Sequence, residues 1–381
     1  GMAIGVPSFM PEAASDLSST SGLLTVSTTT LQGVAILEIV VNDPDNSDTD
    51  NDVTALSASV GGTSYDLTQA SNGKWYAYVV DSSQAQLVDA DTGTSFEFGV
   101  LCTAGLSIEK STTDLIVDAS TDVYAAVKTH VAVGSILDAG NCLDADGAQA
   151  TDDDTAGSTE RQDLTGAVLQ NAPSLSNPDG DEANLGQRAH GLNASGYGSW
   201  PYIIAVDLND DNEVAYGSDA INVVYGNTDD ETSISLENRN PADRAEIHLT
   251  ITDPALNIDP TTADIWSFDL SDTAFDGTSA IFNNNGTNTA NSAAEMGDLG
   301  FESNGLLTAN IETVLGTGAN NVSTVIMTES GANTGVFESF DINGAAQFET
   351  IAGASADTQV IFGYGGNSVD MIITYNDASI T

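Results

Sequence analysis

The chain has 381 residues, of which 56 are Asp or Glu and only 7 are Lys or Arg, giving a formal net charge of -49. Charged residues make up 17% of the chain, below the roughly 25% of an ordinary domain, so missing cations rather than added acids cause the imbalance. Such a surface excludes nucleic acids and anionic membranes as partners, because both are bound through Lys and Arg. It concentrates small cations instead, and adaptation to high salt is the alternative explanation.

The length and the hydrophobic content of 40% predict two or three folded domains. The longest apolar run, 33–41, is far shorter than the roughly 18 residues of a membrane-spanning helix. Residues 1–14 are apolar and end in a pair of alanines, which indicates a secretory signal remnant, a tag or an extended N-terminal segment.

Strand signals dominate: short runs rich in Val, Ile, Thr, Tyr and Phe lie between clusters of Gly, Asn, Asp and Ser. In chain order, the predicted strands are 33–41, 74–80, 95–101, 201–208, 220–225, 245–252, 322–328, 358–364 and 369–375. Many short, closely spaced strands predict a mainly β fold of tandem β-sandwich domains.

An internal repeat appears when residues 22–60 are laid over 232–270 at a fixed offset of 210 residues. Both copies predict a strand, a short link, a second strand and an Asp-Pro turn, Asp43-Pro44 in one and Asp253-Pro254 in the other. Asp can bond its own backbone, and Pro cannot donate to a ladder, so the second strand must end there. We expect the two segments to form the same strands of two sandwiches.

A second internal similarity, which we call the second echo, relates residues 222–229 to residues 372–377 at the end of each copy. It places a domain boundary near residue 229. The sequence thus predicts one domain over 15–228 and another over 229–376, with 377–381 opening a following domain or linker. The first is too long for a plain sandwich of about 100 residues. We expect an insertion over about 103–199, partly helical because of the runs 122–131 and 159–169.

Four acidic clusters have the oxygen-rich composition that calcium prefers, although Asp and Asn are also ordinary turn residues. The third alternates as an EF-hand loop does, but Asn212 stands where that loop needs Gly. The candidate ligands are Asp43, Asp45, Asp48, Asp50 and Asp52; Asp253, Asn257, Asp259 and Asp264; Asp207, Asn209, Asp211 and Glu213; and Asp144 and Asp146.

The two cysteines, Cys102 and Cys142, predict either a single disulfide or two buried thiols. Glycosylation sequons occur at Asn193, Asn285 and Asn321, and the polar loop around Asn285 makes it the best candidate.

Catalytic signatures are missing from the sequence. It has no nucleophile elbow, zinc-protease motif or phosphate-binding glycine loop. The sequence therefore predicts a protein that is not an enzyme, although a Ser, His and Asp triad can assemble in space from distant positions.

Two segments of the second copy, 249–260 followed by Trp266-Ser267-Phe268 and 328–338, resemble motifs that recur in the surface-layer proteins of ammonia-oxidising archaea. The first copy departs from the motif, with Asp45-Asn46-Ser47-Asp48 in place of Ala255-Leu256-Asn257-Ile258.

The resemblance implies a secreted, glycosylated lattice protein of tandem immunoglobulin-like domains, with acidic pores that admit cations. We therefore expect a structural surface-layer fragment whose partners are copies of itself and small cations, calcium or other divalent ions. A cell-surface adhesin or filament subunit that binds protein or glycan is the alternative.

Overall fold

The computed structural model describes thirteen segments of the chain, and everything below refers to them. They are 22–49, 56–84, 100–102, 124–127, 142–143, 168–174, 203–271, 280–282, 291–292, 305–317, 320–321, 323–341 and 343–374. The fold is mainly β, as predicted. Within these segments, no helix has the length and apolar character that crossing a membrane requires.

Thirteen strands between residues 24 and 225 form what we call the first unit. They are β1 Leu24–Val26, β2 Thr30–Leu31, β3 Leu37–Val41, β4 Ser57–Val60, β5 Thr63–Asp66, β6 Thr68–Gln69, β7 Trp75–Asp81, β8 Val100–Cys102, β9 Tyr124–Val127, β10 Cys142–Leu143, β11 Ile203–Val206, β12 Asp211–Tyr216 and β13 Asp219–Tyr225. One sheet has the order β1-β3-β7-β11-β9-β8-β10, with β6 also paired to β7, and the other has the order β2-β13-β12-β4-β5.

Fourteen strands between residues 233 and 372 form the second unit. They are β14 Ser233–Leu236, β15 Glu246–Ile247, β16 Leu249–Thr252, β17 Ile265–Asp269, β18 Ala280–Phe282, β19 Asn291–Ser292, β20 Leu307–Ala309, β21 Leu315–Thr317, β22 Asn320–Asn321, β23 Thr324–Glu329, β24 Val336–Glu338, β25 Phe348–Thr350, β26 Gln359–Tyr364 and β27 Asn367–Ile372. The sheets have the orders β14-β16-β24-β23-β17-β18-β19, β15-β25-β21-β22 and β20-β26-β27.

Alternating burial explains why these sequences form strands. In β3, Leu37, Ile39 and Val41 are buried while the residues between them are half-buried. Strand β7 is buried along its whole length, as expected for a central strand covered on both faces. The buried apolar residues of both units form one connected hydrophobic cluster.

Each of the nine predicted strands overlaps an observed one. The helix-like interpretation of 122–131 is wrong at its centre, because Tyr124–Val127 is strand β9, paired with β8 and β11. Pairing on both edges outweighs a weak local helix preference. Residues 168–169, at the end of the second helix-like run, are not helical either. Residues 1–14 and 377–381 lie outside the described segments.

The repeat at an offset of 210 is confirmed through the Asp-Pro turn. Strand β1 pairs with β3 in the register Leu24↔Val41, and β14 pairs with β16 in the equivalent register Ile234↔Ile251. Beyond the turn the expectation of identical strands is wrong. Strand β4 lies in the second sheet of its unit, whereas β17 lies in the sheet of β14 and β16. The local pattern predicted the strands but not the sheet that each would join.

The second echo is present but shifted by two residues. Hairpin β12–β13 closes at Tyr216↔Asp219, and β26–β27 closes at Tyr364↔Asn367, which gives an offset of 148. The sequence comparison used an offset of 150. Because side chains alternate with a period of two, such a shift leaves every residue on the same face of the strand and is hard to detect from sequence.

The last strand of each unit meets the first segment in the same way. The Val224 and Gly226 amides donate to the carbonyls of Thr29 and Leu31 (both 2.9 Å). In the second unit, the Ile372 and Thr374 amides donate to the carbonyls of Arg239 and Pro241 (both 2.9 Å). In both units, therefore, the segment that begins the unit pairs first with a strand of one sheet and then with the last strand of another sheet.

Candidate functional site

The two Asp-Pro turns share one internal geometry. Each Asp caps a 3-10 turn, Pro44–Asn46 or Pro254–Leu256. The cap carboxylate accepts the amide two residues later, at 3.0 Å for Asp43 and 2.8 Å for Asp253. The remaining carboxylate oxygen then points back toward the body of the unit.

The last hairpin of each unit, β12–β13 or β26–β27, is called the closing hairpin below. In both units a tyrosine of this hairpin binds that oxygen. Tyr216 Oη donates to Asp43 Oδ2 at 2.6 Å, and Tyr364 Oη donates to Asp253 Oδ2 at 2.5 Å. Burial alone would raise the pKa of Asp43, but the hydrogen bonds, that of Tyr216 foremost, outweigh it and lower that pKa. Burial and the neighbouring carboxylate raise the pKa of Tyr364.

A tryptophan fixes the end of each turn. Trp75 Nε1 donates to the Asn46 carbonyl at 3.0 Å, and Trp266 Nε1 donates to the Leu256 carbonyl at 2.9 Å. Asn46 and Leu256 are equivalent at the repeat offset, although the two tryptophans are not. Each unit has thus reached the same contact from a different strand.

The turns differ in their surroundings. In the first turn, residues 44–47 are exposed. In the second, Ala255, Leu256 and Ile258 are fully buried. Positions that are exposed to solvent in the first turn are therefore occupied by buried apolar residues in the second turn.

The second turn packs on the first unit and forms a junction between the units. The Ile36 amide donates to the Ile258 carbonyl at 3.0 Å. Val34, Ala35 and Ile36 are buried. Nearby, Gln32 Oε1 accepts hydrogen bonds from the Thr228 amide (2.9 Å) and hydroxyl (3.0 Å), which secures the connection between the units.

Residues 168–174, from the predicted insertion, bridge the same junction. Val168 and Leu169 are buried in the shared hydrophobic cluster. The Gln170 amide donates to Asp259 Oδ2 at 2.8 Å. At the other end, the Ser174 carbonyl accepts from the Ser71 amide of the first unit at 2.9 Å.

Three buried carboxylates, Asp259, Asp264 and Glu329, lie next to the second turn. Asp264 Oδ2 accepts the amides of Ile258 and Asp259, and its own amide donates to Glu329 Oε2 at 3.1 Å. Asp259 Oδ1 accepts the amide and hydroxyl of Thr261, at 2.8 and 2.6 Å. We call these three residues the carboxylate cluster.

Burial sets the electrostatics of this cluster. Burial, followed by the charges of Asp259 and Glu329, raises the pKa of Asp264 well above its ordinary value. Burial also raises the pKa of Glu329, despite hydrogen bonds from Asp264, Thr334 and Gly335. No Lys, Arg or His in the described segments forms an ion pair with Asp264 or Glu329. A proton or a bound cation would relieve this repulsion.

A fourth carboxylate faces the cluster from the first unit. Burial raises the pKa of Glu38, and the charge of Asp259 across the junction adds to that rise. The hydrogen bond that Tyr78 Oη donates to Glu38 (2.9 Å) and the charge of Lys74 oppose it. Carboxylates from both units therefore influence one another through the junction.

The segment 329–335 holds the second turn and the cluster together. Glu329 Oε1 accepts the Gly335 amide at 2.8 Å, and the Gly335 carbonyl accepts the Asp253 amide at 2.8 Å. Gly335 has φ of 60°, a left-handed conformation that strains residues with a side chain, and this favours glycine at the position. The two segments that carry the family resemblance therefore contact each other.

The predicted calcium ligands have different environments. In the second cluster, Asn257 is buried and its Oδ1 has no partner among the described atoms. Asp45 is exposed, and the Gln69 amide lies within hydrogen-bonding distance of the Asp48 backbone. Exposed positions hold Asp207, Asn209, Asp211 and Glu213, and the last two lie on β12. Asp50, Asp52, Asp144 and Asp146 lie outside the described segments.

Across the described segments, no group of three or more His, Cys, Asp or Glu residues is arranged to hold a metal ion. Sites built largely from amide and backbone oxygens, which calcium also uses, stay a prediction.

The backbone register places Cys102 directly opposite Cys142, between β8 and β10. Opposed residues of antiparallel strands have Cα atoms about 4.5–5.5 Å apart, within the range of disulfides. Asn321 belongs to strand β22, while Asn193 and Asn285 lie outside the described segments.

Sequence reasoning missed the residues that hold the turns: the two tyrosines, the two tryptophans and Glu329. A signal for the tyrosines was present, because a Tyr-Gly pair, Tyr216-Gly217 or Tyr364-Gly365, begins the turn of each closing hairpin. Trp266 and Glu329 lie in the two segments that carry the family resemblance, but nothing local in the sequence marks the partners of the tryptophans or of Glu329, because packing fixes them.

No protein-family model matches the chain, and a search of the curated proteins finds no significant match.

Proposed function

We propose that the chain is a structural, non-enzymatic subunit of an extracellular surface lattice, an S-layer, with an acidic surface that binds and sieves small cations. The observation that carries this proposal is the junction. Two units with the same arrangement of Asp-Pro turn, tyrosine and tryptophan are joined through one buried hydrophobic cluster and hydrogen bonds between them. This arrangement suits a protein whose task is to hold domains at fixed positions.

The shared frame supports the finer proposal that both units are immunoglobulin-like sandwiches, over about 15–228 and 229–376. In each unit the first segment contributes to two sheets, and its second half pairs with the strand of the closing hairpin. Sandwiches of this class close their core with strands from both ends of the domain.

The charge of -49 supports the cation-binding part of the proposal. Few fixed cations are available to neutralise the acids, so mobile cations must do so. The carboxylate cluster adds a local reason, because a cation bound near Asp259 and Asp264 would remove repulsion inside the junction. Calcium is the ion we propose, since carboxylate and amide oxygens are its usual ligands.

The extracellular location is supported by the opposed cysteines. A disulfide between Cys102 and Cys142 persists in an oxidising compartment, and alkylation of the unreduced, denatured protein should then modify neither residue. Asn193, Asn285 and Asn321 are the proposed glycan acceptors.

Electron microscopy of the full chain with calcium and with excess chelator tests the lattice. We expect ordered sheets or arrays with calcium and their loss on chelation. A protein that stays monomeric in both conditions and binds a defined glycan or protein would overturn the lattice proposal in favour of an adhesin.

A further inference from the structure

Residues 168–174, which we call the strap, lie between strands β10 and β11 of the first unit and belong to neither strand. No strand ladder therefore satisfies the backbone amides and carbonyls of the strap. Such groups need partners elsewhere when they are buried. The strap finds them in both units, so its position depends on groups that each unit supplies.

The strap begins with an apolar anchor. Val168 and Leu169 are 0% and 1% exposed and belong to the hydrophobic cluster that both units share. Ala172 packs against the same cluster, while the side chain of Gln170 between them is exposed. Apolar burial holds a segment in place but is not directional, so the orientation of the strap must come from its hydrogen bonds.

The second unit binds the middle of the strap through the strap's backbone. The Gln170 amide donates to Asp259 Oδ2 at 2.8 Å, and the Asn171 amide donates to Thr261 Oγ1 at 2.9 Å. The Thr261 hydroxyl donates its own proton to Asp259 Oδ1 at 2.6 Å, which leaves its lone pairs for the Asn171 amide. The two acceptors are therefore oriented by each other before the strap adds its amides.

The first unit binds the end of the strap at the turn between β6 and β7. That turn is closed by the Gly73 amide on the Ala70 carbonyl at 2.9 Å. The Ser71 amide takes no part in closing the turn and donates to the Ser174 carbonyl at 2.9 Å. One short segment thus ties residue 71 of the first unit to residues 259 and 261 of the second.

The loop that receives the strap also carries a direct contact between the units. The Ile258 carbonyl accepts the Ile36 amide at 3.0 Å, and Asp259, the next residue, accepts the strap. Release of the strap from Asp259 and Thr261 would remove two of the bonds that hold this loop against the first unit. Seating of the strap and closure of the junction are therefore coupled through adjoining residues.

We propose that the strap locks the two units in one relative orientation, so that the junction opens only when the strap leaves residues 71, 259 and 261. Interfaces between domains of one chain ordinarily permit relative motion, and a segment bonded to both sides removes that freedom. The lock goes beyond the proposed function, because it assigns a task to the insertion in the single chain, whether or not copies assemble.

Hydrogen exchange of the dispersed full chain tests the lock. Leu169→Ala shortens the apolar anchor, and the Gln170 and Ile36 amides should lose protection together, each at least about tenfold. Two reporters within the units should keep theirs: the Leu67 amide, bonded to the Leu56 carbonyl at 2.7 Å, and the Thr350 amide, bonded to the Ala245 carbonyl at 2.9 Å.

Gln170→Ala is the matched control, because it truncates the exposed side chain beside the anchor and leaves the backbone amide in place; it should change no protection. Thr261→Val removes the acceptor of the Asn171 amide without touching the anchor, and it should lower protection at Gln170 and Ile36 together. This second variant keeps the test valid if Leu169→Ala does not fold.

Loss of protection at Gln170 with Ile36 unchanged would overturn the lock, since the junction would then stay closed without the strap. Equal losses at Ile36, Leu67 and Thr350 would also overturn it, because the strap would then add only to overall stability. Neither result bears on the lattice, which electron microscopy tests on assembled protein, so the two proposals fail separately.

Discussion

The two Asp-Pro turns have the same register, the same aspartate cap and the same pair of Tyr and Trp hydrogen bonds, yet one is exposed and acidic and the other buried and apolar. The inner contacts all run from the cap and the turn backbone into the parent unit. Of the outer positions, 45, 46 and 48 or 255, 256 and 258, only Asn46 adds a side chain to these bonds, donating Nδ2 to Asp43 Oδ2 at 2.7 Å. Their composition can therefore follow the environment, solvent in one case and a neighbouring unit in the other.

This contrast explains why the first copy departs from the motif of the second. Asp45 and Asp48 would bury charged carboxylates away from water if the first turn occupied a junction. Conversely, an exposed Leu256 or Ile258 would offer an apolar surface to other molecules. The difference between the copies thus marks which turn lies within the chain's internal junction.

Exchanging residues between the two Asp-Pro turns should give the largest change in the free energy of unfolding. Ile258→Asp places a charge against the buried Ile36, and we expect a loss of about 3–5 kcal/mol from the free energy of unfolding. Asp48→Ile, the reverse exchange, should change it by about 0.5 kcal/mol. Denaturant unfolding measures both values.

Hydrogen exchange locates the damage, because the Ile36 amide bonds the Ile258 carbonyl across the junction. Its protection should fall in Ile258→Asp and stay unchanged in Asp48→Ile. Equal stability losses in the two variants would contradict the assignment of the second turn as the joined one.

Removing the tyrosine hydroxyls tests the shared frame. Tyr364→Phe deprives the buried Asp253 of a donor and should cost about 1.5–3 kcal/mol, the range for hydrogen bonds to charged groups. Tyr216→Phe should cost less, about 0.5–1.5 kcal/mol, because water can reach the exposed first turn more readily. Denaturant midpoints at constant slope give the comparison, and a larger loss for Tyr216→Phe would contradict it.

The sequence predicted this frame only in part, for physical reasons. Strand pairing and the Asp-Pro stop are local, so the repeat at an offset of 210 located β1, β3, β14, β16 and both turns. The tyrosine contacts join residues 173 and 111 positions apart. No local pattern fixes a pairing at that distance, because it depends on how the sheets pack.

The junction left a trace in the sequence that was interpreted as a departure from a motif. Ala255, Leu256 and Ile258 are apolar residues in a turn, where polar residues are usual. Burial of that turn is the physical explanation. The carboxylate cluster was predicted in part, since Asp259 and Asp264 were named as ligands, but Glu329 comes from a strand 65 residues from Asp264.

Lowering the pH should increase the contribution of the carboxylate cluster to the stability of the fold and decrease that of Asp43 in the first turn. Asp264 and Glu329 have raised pKa values, so their protonation stabilises the folded state fully below about pH 4, and that stabilisation is lost as the pH rises through the raised values. Asp43 has a lowered pKa, so its contribution is present above about pH 4 and is lost as the pH falls through the lowered value.

Glu329→Gln should therefore flatten the rise in unfolding free energy between neutral pH and about pH 4, by up to about 1.4 kcal/mol per pH unit for one proton. Glu213→Gln, on the exposed face of β12, is the matched control for general charge repulsion. Asp43→Asn should leave this window unchanged and reduce the loss of stability at lower pH. Denaturant unfolding across the pH series measures each slope, and identical slopes for Glu329→Gln and Glu213→Gln would contradict the role of the cluster.

Calcium should have the smallest effect on stability. It distinguishes two candidate ion sites, the acidic run after the first turn and the carboxylate cluster at the junction. A site that is half-saturated stabilises the folded state by about 0.4 kcal/mol, so we expect a small rise in melting temperature in millimolar calcium relative to chelator. Replacing Asp48, Asp50 and Asp52 together by Asn should remove that rise if the acidic run after the first turn holds the ion, because close like charges repel until a cation intervenes. Asp230→Asn with Glu231→Gln removes two exposed acids that belong to no candidate cluster and should retain the rise. A rise that survives the triple substitution but disappears in Asp259→Asn would instead place the ion at the junction, and a melting temperature indifferent to calcium in the wild type would contradict both sites.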